Sequence, residues 1–188
     1  AIYLVSFFGR LNYTLMERYM LTFTLRADGS SRFNWMKGNE NQQWGYFPSA
    51  AFAWKINEES FLKNASWLSD LKLRLGWGIT GQQEGSAIGD YSYIPTYTTS
   101  TKAAYYDIFG DGTTTRPDGF YQALTWEKTT TWNAGIDLGI LNDRLTVNLD
   151  AYYRKTTDLI NSVVLPVDTN FTNKINKNIG ELHNLGIE

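Results

Sequence analysis

Stretches of alternating polarity recur along this chain, and the joints between them are by turns short and long. The clearest stretch sets Leu71, Leu73, Leu75, Trp77 and Ile79 against Lys72, Arg74, Gly76, Gly78 and Thr80. Successive side chains of a strand point to opposite faces, so this is the signature of strands with one apolar and one polar face. On the same signature, strands are expected near 2–15, 19–28, 46–56, 71–80, 126–138, 145–154 and 179–187. The joints at Met16-Glu17-Arg18 and Leu141-Asn142-Asp143 are tight. Those over 29–43, 81–124 and 155–173 are long and polar, and the joint over 57–70 is of medium length, with a helical turn expected around Glu58 to Leu62.

Antiparallel order places every odd joint at one end of the sheet and every even joint at the other. Short turns at one end and long loops at the other are a habit of outer-membrane barrels, and a soluble sandwich has no particular reason to keep it. Aromatic side chains supply a second sign. They make up 15% of the chain. On the apolar parity Tyr13, Tyr19, Trp54 and Trp67 fall near the short-joint end, and Tyr46, Trp77, Trp126 and Tyr153 near the long-joint end. Two belts of amphipathic rings are what two membrane interfaces select. The fold class expected is therefore all-β, a segment of an antiparallel transmembrane β-barrel of about seven strands. The alternative is a soluble β-sandwich acting as a carbohydrate-binding module, with the same aromatics in its core and binding face.

Composition narrows the functions. A net charge of −2 leaves no basic surplus for sequence-independent nucleic-acid binding. With 0 Cys, disulfides, thiolate metal sites and cysteine nucleophiles are excluded. No apolar run is long enough for a transmembrane helix. The mean hydropathy of −0.35 does not argue against a barrel, whose strands are apolar only at alternate positions. Ala1 falls inside what reads as a strand, so the chain reads as part of something longer. The polar parity carries Arg10, Arg26, Lys72, Arg74, Asp137, Asp150 and Arg154 at mid-strand, among Thr, Asn and Gly. In a barrel these would line a hydrated lumen or contact a plug within it.

Several motifs resemble those of the SusC/RagA family of TonB-dependent outer-membrane transporters of Bacteroidetes. They are Phe7-Phe8-Gly9-Arg10-Leu11-Asn12-Tyr13, Leu25-Arg26-Ala27-Asp28-Gly29-Ser30-Ser31-Arg32-Phe33, Trp44-Gly45-Tyr46-Phe47-Pro48-Ser49-Ala50 and Trp67-Leu68-Ser69-Asp70-Leu71-Lys72-Leu73-Arg74. Gly76-Trp77-Gly78-Ile79-Thr80-Gly81-Gln82, Leu124-Thr125-Trp126-Glu127, Tyr152-Tyr153-Arg154-Lys155-Thr156-Thr157-Asp158-Leu159 and Asn178-Ile179-Gly180-Glu181 complete the set, in the family's order over nearly the whole chain. The resemblance implies a barrel of about 22 strands in the outer membrane, with an N-terminal plug in its lumen. It further implies import of oligosaccharides or peptides, driven by the TonB complex and shared with a SusD-like surface lipoprotein. Residues 1–188 would be a middle-to-late part of that barrel, with the plug and remaining strands elsewhere in the protein.

No catalytic constellation stands out, and no enzyme, cofactor or metal is expected. His183 is the single histidine, so a multi-histidine metal site is excluded within this chain, and a structural role is expected for it. Glu58 and Glu59 are expected to be solvated on a short-side turn. Asp107, Asp111 and Asp118 lie in a Gly-rich loop as a weak calcium candidate, without the spacing of an EF-hand. A glycoside hydrolase would need two carboxylates facing across a cleft, which sequence cannot place. The ligand candidates are aromatics of the long joints, Trp35, Tyr91, Tyr93, Tyr97, Tyr105, Tyr106, Phe109 and Tyr121. Flat rings with polar tips stack on sugar faces or hold peptides, and they equally pack a loop against itself.

Overall fold

A computed structural model describes residues 3–33, 42–83, 89–90, 92–99, 115–166 and 173–188. Seven long strands form one antiparallel sheet. They are β1 (Leu4–Leu15), β2 (Tyr19–Ser30), β3 (Trp44–Lys55), β4 (Leu68–Gln82), β7 (Glu127–Ile140), β8 (Leu145–Thr157) and β11 (Leu182–Ile187). Their order in the sheet follows their order in the chain, β1-β2-β3-β4-β7-β8-β11. The gaps in that numbering are two small hairpins. One pairs β5 (Tyr97–Thr99) with β6 (Thr115–Pro117), and the other pairs β9 (Ile160–Val164) with β10 (Lys174–Asn178). Both lie in joints expected to be irregular. Strands of three to five residues are too short to raise an alternation above the noise of a polar loop. β11 begins at Leu182 rather than near Ile179, after Gly180 takes a positive φ of 101°.

The tight joints are built by backbone that turns left-handed. Met16 and Glu17 have φ of 52° and 56°, and Arg18 N–H donates to the Leu15 carbonyl at 3.1 Å. Two successive left-handed residues closed by that bond make the turn whose twist matches a hairpin. Leu141, Asn142 and Asp143 repeat the device between β7 and β8, with φ of 56°, 56° and 59°. Pro48 lies within β3, and pairing with β4 begins only at Ser49, so the missing N–H falls at the edge of that ladder.

Register carries each polarity across the whole sheet. Leu11, Phe23, Ala50, Trp77, Trp132, Tyr153 and Leu185 form one rung, and Tyr13, Leu21, Phe52, Leu75, Ala134, Ala151 and Ile187 the rung beside it. On the opposite face Arg10, Thr24, Ser49, Gly78, Thr131, Arg154 and Asn184 form a rung without one apolar side chain longer than a methyl-bearing threonine. Among the described residues no second layer covers the apolar face. Leu21, Phe23, Leu75, Trp132 and Leu149 stay 42% to 54% exposed. A soluble sandwich would bury this face, so the sandwich alternative finds no support. The sheet does not close on itself, and β1 and β11 are its edges.

A small core sits at the long-joint end. Phe33, Phe47, Leu124 and Trp126 are buried together, with Ile79, Tyr121 and Ile160 packed against them. The Trp126 ring lies 5.1 Å from Phe33 and 5.5 Å from Phe47, and its Nε1–H donates to the Gln43 carbonyl at 3.1 Å. Trp126 therefore does not join an outward aromatic belt. It precedes β7 and turns into the cluster, and Trp132 takes the belt position beside Tyr153, ring centroids 5.4 Å apart. At the other end Tyr19 stacks on Trp54 at 6.1 Å.

Phe47 fits only because Gly81 has no side chain, since a Cβ there would overlap its ring. The ring is buried and has little room to yield. Gly81→Val in the full-length protein is expected to cost about 1–3 kcal/mol of stability by overpacking. Thermal unfolding in detergent, compared with Gly9→Val in open space, checks it.

Candidate functional site

The short-joint end is held by one carboxylate. A turn of 3₁₀ helix at Ile56–Glu58 and the hydrogen bonds of Leu62 and Lys63 N–H to the Glu59 carbonyl bring Glu59 back over the strand ends. There Arg18 Nη1 reaches its Oε2 at 2.9 Å, and the Tyr19 hydroxyl and Trp54 Nε1 donate to Oε1 at 2.5 and 3.0 Å. One side chain thus ties the β1–β2 turn, the start of β2 and the end of β3. The expectation that Glu59 is merely solvated is corrected, its side chain being only 12% exposed. Its partners lie up to 41 residues away, so no local pattern in the sequence announces them. The hydrogen bonds from Tyr19 and then Trp54 hold the carboxyl below its ordinary range, with Arg18 assisting and burial opposing.

At mid-sheet the charges of the polar face pair with one another. Arg74 makes a forked contact to Asp137, Nε–Oδ2 and Nη2–Oδ1 both 2.9 Å, and Nη2 also reaches Asp150 Oδ2 at 2.9 Å. These three residues come from β4, β7 and β8, so the triad staples three neighbouring strands. Gly135 leaves the space: a Cβ there would meet Asp150 and lie 2.8 Å from Arg74 Nη2. Lys72 stands opposite Asp137 on one side and Lys55 on the other. Arg26 Nε pairs with Asp28 at 2.7 Å, and Arg10 Nε donates to the Thr24 hydroxyl at 3.3 Å. Arg154 has no ion-pair partner among the described residues. All seven charged residues singled out in the sequence share this face. A hollow of about 290 Å³, walled by Met20, Thr22, Asn133, Arg74 and Asp150 over a floor of Ala51, Ala53 and Gly76, adjoins the triad.

The long-joint aromatics divide. Tyr93 is 6% exposed and buried, which leaves little of its ring for a ligand. Tyr97 on β5 is 68% exposed. Tyr121 packs on the core cluster beneath Lys177, whose Nζ lies 5.3 Å from the ring centre. Trp35, Tyr91, Tyr105, Tyr106 and Phe109 lie outside the described residues, as do Asp107 and Asp111. Asp118 accepts hydrogen bonds from Thr96 and Thr98 hydroxyls at 3.3 and 2.6 Å. No group of three His, Asp or Glu able to hold a metal occurs among the described residues. His183 shares a hydrogen bond with the Tyr153 hydroxyl at 2.7 Å and lies 3.5 Å from Glu181.

This sheet, two-faced and uncovered, joined alternately by short and long connections, is a piece of membrane-barrel wall. The TonB dependent receptor-like, beta-barrel family matches residues 3–188, and the chain belongs to that family, whose members lie in the outer membrane. Within it the chain is similar to the TonB-dependent receptor SusC of Bacteroides thetaiotaomicron, 56% identical over 98% of this chain and 18% of that receptor. A TonB-dependent receptor of Formosa agariphila is 38% identical over 98% of this chain and 16% of its own length. Among solved structures, the RagAB peptide transporter aligns with a TM-score of 0.79 at 29% identity, covering 98% of this chain and 19% of that one. The ferric enterobactin receptor of Pseudomonas aeruginosa, at 19% identity and a TM-score of 0.61, shares the fold over 98% of this chain and 24% of its own. The chain thus spans under a fifth of the curated relatives it matches.

Because the Glu59 carboxyl is held low in the folded state, its contribution is complete above the unfolded carboxylate range and is lost as pH falls through the lowered value. Glu59→Gln in the full-length protein is expected to lower the unfolding temperature at neutral pH and to flatten its decline on acidification. Melting curves of both proteins across the acid range check this.

Proposed function

We propose that residues 1–188 are a stretch of barrel wall in a TonB-driven importer of nutrients, oligosaccharides or peptides. The plug and the remaining strands are supplied by the rest of the full-length protein, and a SusD-like lipoprotein acts as its surface partner. The observation that carries this reading is the uncovered two-faced sheet, in a chain 56% identical to SusC. The apolar face is assigned to lipid. The polar face, with Arg10, Arg26, Lys72, Arg74, Asp137, Asp150 and Arg154, is assigned to the lumen or the plug it holds. Met16-Glu17-Arg18 and Leu141-Asn142-Asp143 then lie on the periplasmic side, and the joints bearing β5–β6 and β9–β10 on the outside.

The likeness to a receptor named SusC and to the RagAB peptide transporter supports import and leaves both substrate classes in play. The facing has an energetic basis. An open edge or an uncovered charge is costly in hydrocarbon, and lipid tolerates the face that carries Leu, Phe and Trp. The polar face needs water, or a polar partner, inside the barrel.

Two measurements test the reading. Leu75→Arg, at mid-strand on the apolar face, is expected to destabilise the full-length barrel in bilayers by about 2–4 kcal/mol. Unchanged stability would reverse the assigned facing. Cells lacking the full-length protein are expected to lose energy-dependent uptake of labelled oligosaccharides or peptides. Undiminished uptake of both classes would reject import.

A further inference from the structure

We infer that the long-joint ends of β7 and β8 carry, on the lipid-facing side of the wall, a site for the phosphorylated headgroup of an outer-leaflet lipid. The inference rests on the facing and sidedness proposed above and goes beyond them by naming a lipid class and the side chains that take it. On β7 the apolar parity runs Ile140, Leu138, Ile136, Ala134 and Trp132, then changes to Thr130 and Lys128. On β8 it runs Leu145, Val147, Leu149, Ala151 and Tyr153, then changes to Lys155 and Thr157. Lys155 stands directly opposite Thr130, and Lys128 opposite Thr157. Two lysines and two threonines thus occupy the corners of one cross-strand square. The lysines lie on its diagonal, about 7–8 Å apart at the backbone.

The height of the square follows from the slant of the strands. Leu15 on β1 lies in line with Leu149 on β8, yet β8 stays apolar to Leu145, about four residues further toward the short joints. At the other end the shift has the same sense, since β1 is apolar out to Val5 while β8 changes at Lys155. From β1 to β8 there are five strand spacings. At about 4.8 Å per spacing and about 3.3 Å per residue the apolar band slants by roughly 30°. That is close to the tilt of barrel strands against a bilayer of even thickness. Trp132 and Tyr153, ring centroids 5.4 Å apart, are the aromatic border of the band on these two strands. Thr130 and Lys155 stand about 7 Å beyond that border along the strands, in the headgroup layer that flanks the hydrocarbon.

The charges of the square select an anion. Lys128 has Gly81 on one side and Thr157 on the other, and no ion-pair partner among the described residues. Lys155 pairs with Glu181 at 3.0 Å, and the same carboxylate lies 3.5 Å from His183 Nε2. One carboxylate offsets one lysine, so the square keeps a positive charge. A phosphate accepts hydrogen bonds from ammonium and hydroxyl donors alike, and it is the anion that the headgroup layer supplies. A zwitterionic headgroup brings its own cation to the lysines, whereas a phosphomonoester brings negative charge alone. Trp132, Tyr153 and Leu149 continue the apolar face directly below the square and receive acyl chains, which dissolved phosphate lacks. That continuity commits the site to a lipid.

The test uses the full-length protein in phosphatidylcholine nanodiscs containing a trace of photoreactive lipid. The lipid is phosphatidic acid or diacylglycerol, each with a diazirine on the acyl chain near the glycerol. Adducts are mapped by peptide mass spectrometry. Phosphatidic acid is expected to concentrate its adducts on the long-joint ends of β7 and β8, and diacylglycerol to spread over the apolar face. Lys128→Gln should lower the phosphatidic acid adducts there about tenfold, the loss of one contact to a charged group, and leave those of diacylglycerol unchanged. Thr130→Val should show a smaller loss in the same direction and keeps the test open if Lys128→Gln folds poorly. Lys63→Gln at the short-joint end should label this square as the wild type does. Wild-type labelling in a folded Lys128→Gln, or equal concentration of both lipids at the square, would overturn the site. Displacement of the adducts by inorganic phosphate, but not by chloride at equal ionic strength, would overturn the lipid as its occupant. Absence of adducts of either lipid from Leu75 and Ile136 would instead sink the assignment of this face to the bilayer.

Discussion

A peptide group inside a bilayer finds no water to bond, so every N–H and C=O must be satisfied by another strand. Between its two edge strands the sheet meets that demand with an antiparallel ladder running from β1 to β11. Everything else follows from it. Strands must be long enough to cross, as β1, β2 and β3 are at 12 residues each and β4 is at 15. Register must not slip, because a one-residue shift of β4 would turn Leu73 and Leu75 to the polar face and Arg74 to the apolar one. The tight turn at Met16-Glu17-Arg18 and the charge staple of Arg74, Asp137 and Asp150 both act on register, one from the end of the sheet and the other from its middle.

The two ends are built by different chemistry, in keeping with different surroundings. At the short-joint end one carboxylate gathers a guanidinium, a phenol and an indole from three elements. At the long-joint end Phe33, Phe47, Leu124 and Trp126 form a small apolar core that roots the loops on the strand tops. Long loops lose more freedom on ordering than tight turns do, and burial of large rings offsets that cost. The hairpin β9–β10 is tied to the same root, since Asn178 bridges the Thr125 backbone and the Asp158 carbonyl.

The polar face is graded along the strands. At mid-sheet its charges neutralise one another in a stapled triad, which leaves little free hydrogen-bonding capacity there. Toward the long joints the pairing thins, and Arg154, Asn184 and the Glu127 carboxylate face a polar cleft.

Much of this architecture was legible along the chain. Seven strands, their apolar and polar parities and the tight turns all follow from a period of two, which is local and needs no knowledge of neighbours. The charged residues of the polar face were recognisable for the same reason. Three things were not. The hairpins β5–β6 and β9–β10 are too short to show a period. Trp126 has the parity of a belt residue, yet it sits before its strand begins and turns inward. Glu59 looks like any surface glutamate until the chain returns Arg18 and Tyr19 to it across about forty residues. The sequence by itself determined which face each side chain takes, because alternation is a property of the single strand. The partners each side chain meets were decided only by the tertiary structure, because cross-strand neighbours are set by register and by the path of the joints.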